Sequence, residues 1–324
     1  MLFTEKMLEM YSAPLSESEN QKCKNAISMV RDALKSIGYA ETDKGIHRLF
    51  DDTFAYAVEM KTSGGTRRVK IFLQGSYANN TNVRTESDVD IAVIQEEVFR
   101  TKYRTTGSYI QNDQLYHFSV AEKRTVSFKD EVQKALIDKF GRDVERKNKS
   151  IKVHGNTYRK DADVVPCIRH RDYTIDYKND ANNYIPGISI LTDDGKTIIN
   201  YPEQHIENGR KKNKSTNMHY KKMVRVMKKM RYLMEDYGHS SAEKVNSFML
   251  ESVLWNIPDD FFLEYGQYRK VYLFKNVIEY LGQHTSEFMS YKEANGINPL
   301  CESEQNRIAL VDFVNDLSAF YEYE

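Results

Sequence analysis

The stretch from Lys70 to Ile94, KIFLQGSYANNTNVRTESDVDIAVI, constrains what this chain can become more than any other. An apolar run, Ile71 to Leu73, ends in Gly75-Ser76; a polar connection follows; then Asp88-Val89-Asp90 leads into Ile91-Ala92-Val93-Ile94. Two strands joined by a turn are expected. Side chains alternate faces along a strand, so Asp88 and Asp90 project to one side while Val89 and Ile91 enter the core. Carboxylates held close together repel unless a cation or a proton lies between them. Oxygen ligands on one face favour a hard divalent ion such as Mg2+. Gly75 allows close backbone approach, and Ser76 supplies a hydroxyl and an N–H, the groups that cradle a phosphate. A phosphate site and a metal site at adjacent strand ends imply phosphoryl or nucleotidyl transfer.

Either half alone says little, since Gly-Ser turns are commonplace and a bare Asp-x-Asp is more often a solvated strand edge. Joined at this spacing they are specific. The third carboxylate such a site needs is sought on another strand. In IKVHGNTYRKDADVVPCI, two extended runs surround Gly155-Asn156, and Asp163 stands between apolar neighbours in Ala162-Asp163-Val164-Val165. Asp161, on the same face, is the fallback, with a solvated strand-end charge as its other reading.

The rest of the chain is read around that centre. A helix is expected from about Glu17 to Ile37, where Cys23, Ile27, Val30, Leu34 and Ile37 repeat at helical spacing. Strands are expected at Phe54–Met60 and Arg68–Leu73, a helix across Glu122–Lys139, and a hairpin within Ile188–Ile199 turning at Asp194-Gly195. Asn200-Tyr201-Pro202 then leads into a basic loop at Arg210, Lys211, Lys212 and Lys214. Beyond Asn217 the pattern turns helical. Tyr220, Met223, Val224, Met227, Met230 and Met234 form an apolar stripe, while Lys221, Arg225 and Lys228 recur on another face. Helices at Ser247–Trp255, Asp260–Gly282 and Ser303–Tyr321 complete a helical C-terminal half.

With 324 residues, 40% of them hydrophobic and 29% charged, the chain is expected to be a soluble globular protein of one large domain or two lobes. No apolar run approaches the roughly 20 residues that cross a bilayer, and MLFTEKMLEMYS lacks a signal-like pattern, so no membrane association and a cytoplasmic location are expected. Cys23, Cys167 and Cys301 are scattered and in no CxxC pair, which argues against a disulfide framework or a zinc site. The 47 basic and 47 acidic residues cancel, leaving no global signature of polyanion binding. Local charge differs: between Arg210 and Arg231 there are ten basic residues and no acidic one. A solvated basic helix is one reading of that run, and phosphate contact the other.

The sequence GSYANNT followed by SDVDIAVI resembles the nucleotidyltransferases of the DNA polymerase β superfamily, with Gly-Ser, a short helix and Asp-x-Asp on the next strand. Within them it is most similar to the bacterial cGAS/DncV-like nucleotidyltransferases. NYPEQHIENGRKKNKST, YKKMVRVMKK and SFMLESVLWNIP resemble the CdnE-type clade. The resemblance implies an α+β, bilobed chain. Its catalytic lobe, 1–205, would be a polymerase β-like core of mixed sheet and flanking helices with an N-terminal spine helix, and 206–324 a helical lobe similar to that of oligoadenylate synthase.

The resemblance also implies an activity: two ribonucleoside triphosphates joined into a cyclic dinucleotide, with pyrophosphate released and a linear intermediate turned over in the pocket. Two Mg2+ ions, replaceable by Mn2+, would sit on Asp88, Asp90 and Asp163. Gly75 and Ser76 would hold the donor triphosphate with Lys228 and Ser247, and Lys221 and Arg225 would make secondary phosphate contacts. Phe248 is either a base-stacking ring or a core aromatic. Asn200 either pairs with a uracil edge, which would make the product pyrimidine-containing, or helps form the Tyr201-Pro202 turn. The expected substrates are ATP, GTP or UTP. The product would activate a separate effector in antiphage (CBASS) signalling, with no DNA activator and a monomeric enzyme. Transfer to an RNA 3′ end or a small molecule, or a catalytically silent nucleotide-binding protein, are the competing readings.

Overall fold

The computed structural model describes residues 2–14, 16–50, 53–83, 88–105, 110–122 and 124–324. The chain forms two compact units, one of Glu17–Ala78 and Asp88–Glu203, the other of Met1–Ser16, Asn79–Ser87 and Gln204–Glu324.

The first unit is built on a mixed ten-stranded sheet. Its main path runs Thr197–Asn200, Ile185–Leu191, Ala162–Asp172, Val89–Lys102, Arg68–Leu73, Tyr56–Thr62, Tyr39–Glu41. Val89–Lys102 and Ala162–Asp172 pair in parallel, while the other neighbours on this path are antiparallel. Ile91, Ala92, Val93 and Ile94 are all fully buried, as a strand covered on both faces requires. Helix Glu17–Lys35 packs against four of these strands and buries Cys23, Ile27, Val30 and Leu34, the stripe expected from their spacing. A second helix, Phe128–Phe140, starts later than its apolar pattern suggested. Ser127 Oγ accepts the Asp130 N–H at 3.1 Å and so fixes the first turn, leaving Val126 exposed.

The second unit is helical. Helix His219–Asp236 lies at its centre with Tyr220, Met223, Val224, Met227, Met230 and Met234 fully buried. The expected basic loop is instead part of helix Pro202–Ser215. Proline fits the first helical turn, where its missing N–H costs nothing, and Lys212 and Lys214 stand in the last turn, where the helix dipole favours cations. The single helix expected across Asp260–Gly282 is two, Asp259–Tyr265 and Lys270–Gln283. Between them Gly266 packs so closely on the Phe262 carbonyl and the His219 ring that a Cβ there would collide with both. Helix Ser247–Asn256 is capped by Asn246 and helix Glu304–Phe320 by Ser303. Helix Glu5–Ser12, which the periodicity did not single out, is capped by Thr4 and contacts His219–Asp236 and Lys270–Gln283. Leu2–Phe3 pairs in parallel with Glu322–Tyr323. Cys23, Cys167 and Cys301 are all buried and free.

Ile27 is fully buried in helix Glu17–Lys35. Ile27→Ala should lower unfolding stability by roughly 2–5 kcal/mol, measured as a shift of the urea midpoint at unchanged slope.

Candidate active site

Strand Arg68–Leu73 ends where the Gln74 N–H donates to the Asp90 carbonyl at 3.0 Å, and Gly75 opens the short helix Gly75–Asn79. Gly75 has φ +69°, and a Cβ on it would run into the Asp90 carboxylate. Both facts demand glycine: the backbone is left-handed and the space is taken. Ser76, the next residue, is half-buried.

The parallel strands set the carboxylates. Asp90 is in register with Asp163, and Val89 with Ala162, so the two carboxylates lie side by side on one face. Asp88 stands one alternation before Asp90 and is close enough for its charge to act on Asp163. Burial first, and then Asp88, push the Asp163 carboxyl above the usual range, while a hydrogen bond from Ser150 Oγ to its Oδ1 at 3.3 Å opposes them.

Lys152, from strand Ile151–Val153, is opposite Asp163 across an antiparallel pairing. Its ammonium lies 2.8 Å from Asp88 Oδ2 and 3.1 Å from Asp161 Oδ2. The bond to Asp88 raises its pKa, against burial, and Asp161 adds to the effect. Asp161 also accepts the Gly155 N–H at 2.6 Å, and although burial opposes it, this bond and Lys152 hold its carboxyl below the usual value. Asp161 is therefore tied to the Gly155 turn, and Asp163 is the residue aligned with Asp90. Among the described residues no group of three or more His, Cys, Asp or Glu side chains is gathered as a ready-made metal cage. The donor set nevertheless suits a hard divalent ion. It is all oxygen, the charge of Asp88 adds to burial in raising Asp163, and the Lys152 ammonium already sits on Asp88.

In the helical unit, Lys228 is 3% exposed, and its ammonium lies 2.6 Å from Glu251 Oε2 and 3.3 Å from Thr81 Oγ1. Thr81 donates to the same Glu251 oxygen at 2.7 Å, and His205 Nε2 is 2.8 Å from Glu251 Oε1. Burial alone would raise the Glu251 carboxyl, but Lys228 and His205 overcome it and hold it far below the ordinary glutamate value. Ser247 begins helix Ser247–Asn256 with its Oγ 3.5 Å from the Tyr232 hydroxyl. Phe248 meets the His205 ring edge-on at 4.9 Å.

The expected row of surface cations, Lys221, Arg225 and Lys228, is not presented to solvent: each is 5% exposed or less. Arg225 donates to the Ser12 carbonyl at 2.8 Å and the Asn80 carbonyl at 2.5 Å. Its partners come from segments distant in sequence, which periodicity cannot reveal. Asn200 is exposed at the end of strand Thr197–Asn200, paired with Ile188.

Lys152, Thr81, His205 and Glu251 were not singled out from the sequence. A signal existed for two of them. Glu251 interrupts the apolar run SFMLESVLW, and a lone carboxylate there requires a buried cation. Lys152 alternates with Ile151 and Val153, which folds it beside Asp163 once the Gly155 turn is drawn.

A nucleotidyltransferase domain model matches residues 58–175, and a cGAS/DncV-like nucleotidyltransferase C-terminal helical domain model matches residues 207–322. The chain is 46% identical over 325 residues to the cyclic GMP-AMP synthase CdnE03 of Staphylococcus schleiferi, covering 100% of this chain and 98% of that protein. It is 35% identical over 299 residues to a cyclic dipyrimidine nucleotide synthase of Cecembia lonarensis, covering 92% and 90%. Among solved structures, a CdnE cyclic dinucleotide synthase of Elizabethkingia meningoseptica with GTP and Apcpp superposes with a TM-score of 0.70 at 30% identity, covering 98% of both chains. The c-UMP-AMP synthase of Rhodothermus marinus with Apcpp and Upnpp gives 0.73 at 27% identity, covering 98% of this chain and 97% of that one. No helix among the described residues is long and apolar enough to cross a membrane.

Two substitutions test this geometry. Gly75→Ala should displace the Asp90 carboxylate and weaken divalent-ion binding about tenfold or more, read by titration calorimetry. Glu251 keeps its charge in the folded state to a pH well below its ordinary value of 4.5, so its contribution to stability is complete above that value and fades as pH falls below it. Glu251→Gln should therefore cost roughly 3–5 kcal/mol near pH 7, because Lys228 loses its buried counter-charge. The gap from the unsubstituted protein should narrow as chemical denaturation is repeated from pH 4.5 downward.

Proposed function

The chain belongs to the cGAS/DncV-like nucleotidyltransferases, in their CdnE-like clade, and from that premise we propose that it joins ATP and GTP into a cyclic dinucleotide with release of pyrophosphate. The observation that carries this reading is the placement of Gly75-Ser76 and the Asp90–Asp163 pair at adjoining strand ends. The choice of bases is supported by the full-length similarity to a cyclic GMP-AMP synthase. The exposed Asn200 amide, with one donor and one acceptor, favours a second reading in which one base is uracil.

The residues divide the work. Ser76 offers its hydroxyl and backbone N–H to triphosphate oxygens, and the missing side chain at Gly75 leaves room for Asp90 beside them. Asp88, Asp90 and Asp163 would hold two Mg2+ ions, for which Mn2+ can substitute. Bound there, the ions supply Lewis-acid polarisation of the α-phosphate and neutralise the departing pyrophosphate. Lys152 balances Asp88 and Asp161 and keeps the cluster from carrying its full negative charge. Lys228 and Ser247 are the proposed triphosphate ligands of the helical unit, with Phe248 as the ring available to a base. Lys228 must exchange Glu251 for phosphate oxygens, and Thr81 and His205 remain to satisfy the carboxylate. Lys221 and Arg225, buried to nearly the same degree as Lys228, are the proposed secondary phosphate contacts.

The proposed setting is the cytoplasm, with the enzyme working as a monomer whose product activates a separate effector in antiphage (CBASS) defence, and without DNA as the trigger.

Incubating the purified chain with all four ribonucleoside triphosphates and Mg2+ or Mn2+, then phosphatase, should leave a resistant cyclic dinucleotide identified by mass spectrometry. The Asp88→Asn/Asp90→Asn variant should yield none. An elongated RNA or a nucleotidylated small molecule as the main product would replace the proposal with one of its competitors.

A further inference from the structure

A cavity of about 360 Å3 opens on the sheet of the first unit. Arg68 and Lys70 alternate along one strand, and Arg169 and Arg171 along another, so each pair turns to a single sheet face. Arg169 is six residues beyond Asp163 on the same strand, about 20 Å from the carboxylate cluster at the rise of a strand. Lys61, opposite Arg68 in the register, completes five cations around the cavity, against Glu59 and Glu96.

Only part of this charge is balanced. Arg169, 4% exposed, is bound to Glu96 and Glu203, and Lys70 is also paired with Glu203. Lys61, Arg68 and Arg171 form no ion pair among the described residues, although they crowd one small concavity. Arg171 is held flat by Phe99, 3.7 Å from the guanidinium, and by Tyr184 at 5.0 Å, so its fork is oriented before anything binds. Two buried polar atoms of the lining, Thr42 Oγ1 and Arg171 Nε, have no hydrogen-bond partner. Buried polar groups are rarely left unpaired, and here two residues of one lining each hold such an atom.

We propose that this cavity is a second anion site, separate from the carboxylate cluster, that binds a small molecule carrying two phosphate groups. The volume suits a ligand of sugar-bisphosphate size. Guanidinium forks match phosphate oxygens bidentately, and two phosphates compensate the unpaired Lys61, Arg68 and Arg171.

Titration calorimetry on the full chain in EDTA, with inorganic pyrophosphate and fructose 1,6-bisphosphate as separate probes, tests this. Saturable binding of at least one probe is expected, weakened about tenfold or more in Arg68→Gln/Arg171→Gln and unchanged in Ser76→Ala. The preferred probe tells an inorganic ligand from an organic one. Lys61→Gln/Arg68→Gln, on strand positions that leave the Arg171 stack intact, should show the same loss if the first variant melts early. No saturable binding, loss of binding in Ser76→Ala instead, or binding of an RNA oligomer when neither small probe binds would each overturn the proposal. The readout needs no turnover, so it stands or falls apart from cyclic dinucleotide synthesis.

Discussion

The parallel pairing of Val89–Lys102 with Ala162–Asp172 is the constraint on which the rest of the catalytic unit depends. Antiparallel strands can be joined by a tight turn, but a parallel pair needs a long connection that returns the chain to the same end of the sheet. Here that connection contains helix Phe128–Phe140 and strand Ile151–Val153. The return brings Asp163 beside Asp90, and the last strand of the connection brings Lys152 to the same edge. One topological requirement thus delivers two carboxylates in register and the cation that holds a third.

The same economy recurs wherever charge is buried. A buried ion pair gains little net stability, because desolvation of both groups offsets their attraction, yet removing one partner is costly. Lys228 with Glu251, Arg169 with Glu96 and Glu203, and Lys152 with Asp88 and Asp161 are each networks with more than one partner. Such an arrangement keeps a cation fixed and charged in a place where an isolated one would neutralise. Around Glu251, Thr81 and His205 share the carboxylate with Lys228. Stability alone would be served as well by apolar side chains of similar volume.

The family and the α+β architecture were legible in the sequence because they depend on local signals. Gly75-Ser76 and Asp88-Val89-Asp90 are defined by spacing, and the helices Glu17–Lys35, His219–Asp236 and Ser247–Asn256 by a periodic stripe that burial then respects. Where the sequence reading failed, a short-range signal was missed or a long-range one was needed. Pro202 marked a helix start that the charge of the following residues disguised as a loop. The apolar pattern across Asp260–Gly282 belongs to two helices, with Gly266 at the end of the first packed against a carbonyl and a ring.

What the sequence determined by itself was the inventory: which residues alternate with the core, where glycine is required, and that Gly75-Ser76 and two carboxylates lie within one short stretch. Tertiary structure decided which of these meet. Whether Asp161 or Asp163 stands beside Asp90 is a matter of register: a slip of two residues would exchange them, and a slip of one would set an apolar side chain there instead. Whether Arg225 and Lys228 face water or the interior depended on Ser12, Asn80 and Glu251, none of them neighbours in sequence. Periodicity reports which face of an element is apolar. It carries no information about distant carbonyls and carboxylates that make a buried position habitable for a charge.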